Sequence, residues 1–260
     1  MLKLRRLEHI LQGMGPALVA FSAGVDSSFL AAAARQALGK NAAAVTVLSP
    51  FVPSNLAERS ASLARLIGIN HFLLRQELPL RCLQNNPDRC YLCKKTIFSR
   101  IAAAAKKKGF RFVIEGSNVD DMIDFRPGAR ALQELGVASP LQTAGFSKDD
   151  IRRASRRMGL PTWNMESSPC LATRVPYGQK ISRESLETIE RAETYLRSLG
   201  ARSVRVRCHA RAARIEADRR DIPVMVKHRQ GIVRRLKALG FAYVSLDLEG
   251  YRSGAMNEAA

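Results

Sequence analysis

Short apolar runs alternate with amphipathic stretches along the first half of the chain. The runs at residues 17–21, 44–48, 70–74 and 111–115 are too short for helices and read as strands. Between them, residues 26–38, 55–67 and 92–107 carry apolar side chains at helical spacing. This β-α-β-α order predicts an α/β fold, a doubly wound parallel sheet with helices on both faces. Ligands in such folds bind beyond the carboxyl ends of the strands. From residue 126 to 145 the pattern weakens into a loop and a short helix, and a basic helix follows over 147–158. An irregular segment then runs from 159 to about 179, and loops of that length in compact domains usually carry function. The boundary falls here, giving domains 1–178 and 179–260. In the second, helix 182–198, strands 203–207 and 213–217, helix 222–239 and strand 242–246 predict a smaller α+β domain for substrate binding or oligomerisation.

At 260 residues the chain can bury one large core and one small one. No apolar run approaches the length of a bilayer span, and Met1-Leu-Lys-Leu-Arg-Arg6 lacks the apolar stretch of a signal peptide. We therefore expect a soluble, cytoplasmic protein. Five cysteines in a chain this long do not make a disulfide scaffold. The formal charge is +19, of which +12 lies in residues 1–175 and +7 in 176–260, so no basic tail accounts for it. Nucleic acid is one partner that such charge suits, and small polyanions such as ATP are another. Aromatic residues make up only 6% and are not interleaved with basic ones, which does not favour RNA.

The candidate chemistry begins at Phe21-Ser-Ala-Gly-Val-Asp-Ser-Ser28, between the first strand and the first helix. A helix entered through a tight loop offers unpaired amides and a positive dipole end to a phosphate. Gly24 permits close backbone approach, and the hydroxyls of Ser22, Ser27 and Ser28 add donors. The motif is not the Gly-x4-Gly-Lys-Ser/Thr loop. It resembles the Ser-Gly-Gly-x-Asp-Ser pyrophosphate loop of the N-type ATP pyrophosphatases, with Ala23 where that family usually has glycine.

Cys90-Tyr-Leu-Cys93 follows Asp88, a suitable N-cap, which would put both thiols one turn apart on one helix face. The helix start and Arg89, Lys94 and Lys95 favour thiolate. The spacing suits a redox pair, a zinc half-site or an iron–sulfur half-site. Cys170 lies in Ser167-Ser-Pro-Cys-Leu-Ala-Thr-Arg174, with Arg174 available to a thiolate or an anionic substrate. It is either a third cluster ligand or a nucleophile, whereas Cys82 and Cys208 read as structural. Asp120 and Asp121, in Gly116-Ser-Asn-Val-Asp-Asp121, are either Mg²⁺ ligands or turn formers. Arg205 and Arg207 share one face of a strand and, with Arg214, make a candidate phosphate clamp.

Together these segments resemble the LarE-type ATP-dependent sulfur transferases. The likeness spans nearly the whole chain and includes Asp88-Arg-Cys-Tyr-Leu-Cys-Lys-Lys95, Arg126-Pro-Gly128, Cys170-Leu-Ala-Thr-Arg-Val-Pro-Tyr-Gly178 and Leu246-Asp-Leu-Glu-Gly-Tyr-Arg-Ser-Gly254. Thr173 stands where the family pattern has serine. The resemblance implies that ATP, with Mg²⁺, adenylates a carboxylate of pyridinium-3,5-biscarboxylic acid mononucleotide and that sulfur then displaces AMP, in biosynthesis of the nickel-pincer nucleotide cofactor. It implies ATP binding by Ser22, Ala23, Gly24, Val25, Asp26, Ser27 and Ser28 with Asp120 and Asp121, and catalysis by Asp26, Cys170 and Arg174. Arg205, Arg207, Arg214 and Glu193 would serve the substrate phosphate. Sulfur would come from Cys170 itself, left as dehydroalanine, or through a [4Fe-4S] cluster on Cys90, Cys93 and Cys170. With all three cysteines present, the cluster version is preferred. We also expect a homo-oligomer without membrane or nucleic-acid partners. The rivals are a tRNA-thiolating enzyme of the same superfamily, an ammonia-using ligase, and a non-catalytic nucleotide- or RNA-binding module.

Overall fold

The computed structural model describes residues 2–122, 127–166 and 170–252. In chain order its helices and strands are α1 (Leu2–Met14), β1 (Ala17–Ala20), α2 (Val25–Leu38), β2 (Ala42–Leu48), α3 (Leu56–Ile67), β3 (Asn70–Arg75), α4 (Leu80–Leu83), α5 (Arg89–Lys107), β4 (Phe112–Ile114), α6 (Pro127–Glu134), α7 (Pro140–Thr143) and α8 (Lys148–Arg157). Then come α9 (Arg183–Ser198), β5 (Val204–His209), β6 (Ala212–Ala217), α10 (Ile222–Lys227), α11 (Arg229–Ala238) and β7 (Tyr243–Leu246). They form two compact units. The first draws on residues 1–49, 54–79 and 90–168; the second draws on 50–53, 80–89 and 169–260.

The first unit is an α/β layer structure. Its sheet has the order β3-β2-β1-β4, all parallel. β1 is central, with Ala17 registered to Ala42 on one side and to Phe112 on the other. A strand covered on both faces needs an unbroken apolar run, which explains why Ala17, Leu18 and Val19 are all buried. On one face Leu18, Val45 and Val113 pack with Phe98 and Ile101 of α5 and Leu132 of α6. On the other, α2 packs against β1, β2, α1, α3 and α8, and Phe29 meets Phe146 at 5.4 Å between ring centres. α3 ends at Gly68, whose φ of +72° lets its amide return to the carbonyls of Ala64 and Arg65.

The second unit carries a three-stranded sheet in the order β5-β6-β7, with β5 and β6 antiparallel and β6 and β7 parallel. α9 covers β5 through Leu186, Ile189 and Leu196, all buried. Here the structure differs from the single helix expected over 222–239. α10 and α11 meet at His228, which caps the end of one and the start of the other. α1 was also not anticipated, because only Leu7 and Leu11 of its thirteen residues are buried. No helix among the described residues is long and apolar enough to cross a membrane.

Candidate active site

The phosphate loop is held from below by β2. Beyond the last residue of β1, the Phe21 amide donates to the Val45 carbonyl at 2.8 Å, and the Thr46 hydroxyl donates to the Phe21 carbonyl at 2.6 Å. His71 Nε2 lies 2.8 Å from the same hydroxyl oxygen. Since that hydroxyl spends its proton on Phe21, His71 is the donor to it. Burial lowers the His71 pKa, because it disfavours the charged ring. The chain then turns at Ala23, a buried non-glycine residue with φ +55°. That conformation costs an L-residue about 1 kcal/mol, which explains why glycine is the usual occupant of this position in the pyrophosphatase pattern.

Gly24 caps α2 without a side chain. The first turn is closed instead by Ser27, whose Oγ accepts from the Gly24 amide at 3.2 Å and lies 3.1 Å from Ser22 Oγ. The first intrahelical bond runs from Ser28 N to Gly24 O, so the amides of Val25, Asp26 and Ser27 precede it. Gly116 passes against this turn: a Cβ there would lie 3.1 Å from Ser27 N. The strand end after β4 therefore needs a glycine to approach the loop so closely.

Asp26 sits in the first turn of α2. Its Oδ2 is paired with Lys148 Nζ, while its Oδ1 is buried with no hydrogen-bond partner among the described residues. A buried acceptor left open is costly unless something binds it, and a hard carboxylate oxygen suits Mg²⁺. The other two acids have local work. Asp120 accepts from the Lys148 amide at 2.8 Å, and Asp121 accepts from the Asn118 amide at 3.0 Å. Lys148 was not singled out from the sequence, where it reads only as the residue after the helix cap Ser147.

α5 starts at Arg89, so Cys90 and Cys93 stand in its first two turns, both partly exposed. Around them, α5 is tied to α6. Tyr91 Oη, Lys95 Nζ and Arg130 Nε all donate to Glu134, and those bonds pull its pKa to about 2. Of the Arg126-Pro-Gly128 motif, Arg126 lies outside the described residues. Gly128 lies where a Cβ would meet Lys94 Cδ at 2.6 Å.

Cys170 belongs to the second unit and is exposed. Its carbonyl accepts from Thr173 Oγ1 at 2.8 Å and from Arg174 Nη1 at 3.2 Å, closing the turn Leu171–Arg174. Arg174 is almost fully buried and forks onto Glu193, with Nε to Oε1 at 2.8 Å and Nη2 to Oε2 at 3.1 Å. Glu193 also receives Arg197 Nη2 at 2.7 Å and the Val206 amide at 3.1 Å. Burial pushes the Glu193 carboxyl up, but the bond and charge of Arg174, with Arg197 and Arg205, outweigh it and hold the pKa below its ordinary value.

The three clamp candidates lie on adjacent strands. Arg207 is registered directly opposite Arg214, and Arg205 opposite Glu216. Glu216 is shared, receiving Arg207 Nε at 2.9 Å and Arg214 Nη2 at 2.9 Å. Arg205 is buried, stacks over Tyr251 at 5.1 Å, and has its pKa lowered by burial and then by the charge of Arg174. Arg214 also approaches Asp247 at 3.7 Å. Around these strands, five guanidiniums (Arg174, Arg197, Arg205, Arg207, Arg214) face three carboxylates (Glu193, Glu216, Asp247) among the described residues. Cys82 and Cys208 are buried, and burial raises the Cys208 thiol pKa. Among the described residues, no three His, Cys, Asp or Glu side chains are grouped as metal ligands.

No family model matches the chain. Individual proteins do. An uncharacterized protein of Synechocystis sp. is 41% identical over 260 residues, covering 98% of this chain and 97% of the relative. A pyridinium-3,5-bisthiocarboxylic acid mononucleotide synthase of Lactiplantibacillus plantarum is 36% identical over 263 residues, covering 98% and 94%. A glutamine-hydrolyzing GMP synthase of Aeropyrum pernix is 27% identical over 219 residues, covering 74% of this chain and 41% of the relative. The last likeness accords with the loop and parallel sheet of the ATP pyrophosphatase superfamily. Full-length identity to the synthase, on this fold, decides the narrower membership: the chain belongs to the LarE-type sulfur transferase family.

Proposed function

We propose that the protein uses ATP to adenylate a carboxylate of pyridinium-3,5-biscarboxylic acid mononucleotide and then transfers sulfur to it, in biosynthesis of the nickel-pincer nucleotide. The observation that carries this reading is the 36% identity to the Lactiplantibacillus plantarum synthase across 98% of the chain. A carboxylate oxygen is a poor leaving group. Attack of that oxygen on the α-phosphorus expels pyrophosphate and leaves a mixed anhydride whose AMP departs readily. The amides of Val25, Asp26 and Ser27 and the α2 dipole stabilise the phosphate charge that develops in this step. Lys148 and the open Oδ1 of Asp26 flank the same turn. A Mg²⁺ held by Asp26 would neutralise phosphate charge.

In the sacrificial version of the sulfur step, the alternative to the preferred cluster version, the Cys170 thiolate attacks the adenylated carbon. A C–S bond forms and the C–O bond to AMP breaks, with AMP taking the electron pair. Loss of the Cys170 Cα proton and cleavage of its Cβ–S bond then release the thiocarboxylate and leave dehydroalanine. In the preferred version, Cys90, Cys93 and Cys170 would hold a [4Fe-4S] cluster, which would supply the sulfur in place of Cys170. Arg205, Arg207 and Arg214 hold the substrate phosphate, a role supported by the excess of guanidinium over carboxylate around them.

The test is pyrophosphate release from ATP. The mononucleotide should trigger it and tRNA should not; the reverse dependence, or release with ammonia as the second substrate, overturns the reading. Arg205→Ala provides a second check. It should raise KM for the mononucleotide by about 10- to 100-fold, from loss of a charge-assisted contact of about 1.5–3 kcal/mol, with KM for ATP unchanged. Equal losses for both ligands assign Arg205 elsewhere. Arg207 is the poorer probe, because its removal strips a partner from buried Glu216.

A further inference from the structure

We infer that Asn85, which no motif reading singles out, and Arg89, read from the sequence only as a charge beside Cys90, are positioning residues for the sulfur-donor segment that carries Cys170. All the contacts concerned lie inside the second unit. Residues 170–181 form one short turn and otherwise no regular structure, so their carbonyls have few backbone partners of their own. Asn85 supplies them. Its Nδ2 shares two hydrogens among the carbonyls of Val175 at 3.2 Å, Pro176 at 2.6 Å and Gln179 at 3.0 Å. Its own carbonyl accepts the Gly178 amide at 3.0 Å.

The orientation of that amide is fixed by its surroundings. Three acceptors demand the nitrogen on one side, and on the other Asn85 Oδ1 meets Arg89 Nη1, which can only donate. Arg89 continues the arrangement toward Cys170. Its Nη1 reaches the Ala172 carbonyl at 3.2 Å, and its guanidinium lies 5.0 Å from the centre of the Tyr177 ring. Both side chains are buried, and Asn85 holds a φ of +61°, a conformation that asparagine tolerates better than most residues. A buried asparagine in left-handed backbone, spending its donors on three carbonyls about ninety residues away, is over-determined for a simple turn.

This inference rests on the functional reading above only in naming what the segment delivers. Sulfur transfer needs the sulfur within near-attack distance of the activated carbon, and small misplacements cost up to about a hundredfold. Adenylation takes place at the phosphate loop of the first unit, and measuring release at saturating mononucleotide keeps substrate binding through Arg207, which bonds the Thr173 carbonyl at 2.8 Å, apart from it. The two half-reactions should therefore separate.

The experiment compares Asn85→Gly, which keeps the left-handed backbone, and Arg89→Lys, which keeps the charge but loses the planar fork. In each, pyrophosphate release and thiocarboxylate formation are measured separately, with amide hydrogen exchange over residues 171–179. We expect release within about twofold of the parent, thiocarboxylate per pyrophosphate down about 10- to 100-fold, and faster exchange in the segment. Parallel loss of both half-reactions, or no loss in either, overturns the inference. If Asn85→Gly does not fold, Arg89→Lys decides. If the parent itself releases no pyrophosphate with the mononucleotide, the functional reading fails instead, and exchange alone then decides whether these residues hold the segment.

Discussion

Asp26→Asn should lower pyrophosphate release by about 10²–10³-fold while leaving the thermal transition nearly unchanged. The substitution is chosen because asparagine caps and fits a helix start about as well as aspartate. If Asp26 serves only local structure, the variant is silent. The carboxylate has one oxygen on Lys148 and the other buried with no partner among the described residues, which is the arrangement expected of a group waiting for a cation or a phosphate-bound metal. Losing its charge removes that ligand and frees Lys148 from its partner, with no cavity created. Adenylation at the parental rate would show that the loop binds its nucleotide without Asp26 and would sink the assignment.

The cysteines give the second large effect. Cys170→Ala should abolish thiocarboxylate formation under every version of the sulfur step, with pyrophosphate release retained. The double variant Cys90→Ala/Cys93→Ala separates the versions. We expect it to lose bound iron and acid-labile sulfide after anaerobic purification, and to lose repeated turnover with added sulfide. In the parent, Cys170 should then keep its mass through many rounds. A double variant that matches the parent round for round, with Cys170 converted to dehydroalanine in both, would remove the cluster from the mechanism.

The parallel sheet and the phosphate loop were legible because their signals are local. An apolar run such as Ala17-Leu-Val-Ala20 cannot face water on either side, and a Ser-x-Gly-x-Asp-Ser turn entering a helix has few uses. The same holds for the strand pair around Arg205 and Arg214, where the two-residue period puts the arginines on one face. What the sequence did not disclose depends on partners far along the chain. Lys148 looks like any exposed lysine after a cap until the fold brings it to Asp26. Arg174 reads as an available cation, yet Glu193, nineteen residues on, takes up its fork. Asn85 carries no motif at all, and a φ of +61° has no spelling in the sequence when the residue is not glycine. The break at His228 was hidden for the opposite reason, since the apolar spacing on both sides of it continues one helical pattern.

The order of segments along the chain has a consequence for how the protein is made. Residues 50–53 and 80–89 belong with 169–260, so the two units are interleaved rather than consecutive. Asn85 leaves the ribosome ninety residues before Val175, one of the carbonyls it must satisfy. At translation rates of about 5–20 residues per second, that is a wait of roughly 5–20 s. During that interval the segment 80–89 has no partner from its own unit beyond residues 50–53, while the strands of the parallel sheet are complete once β4 has emerged. Synthesis therefore favours a first unit that closes early around two loose insertions. The second can finish only when the C-terminal portion arrives, and neither can be inherited or exchanged as an uninterrupted stretch of gene.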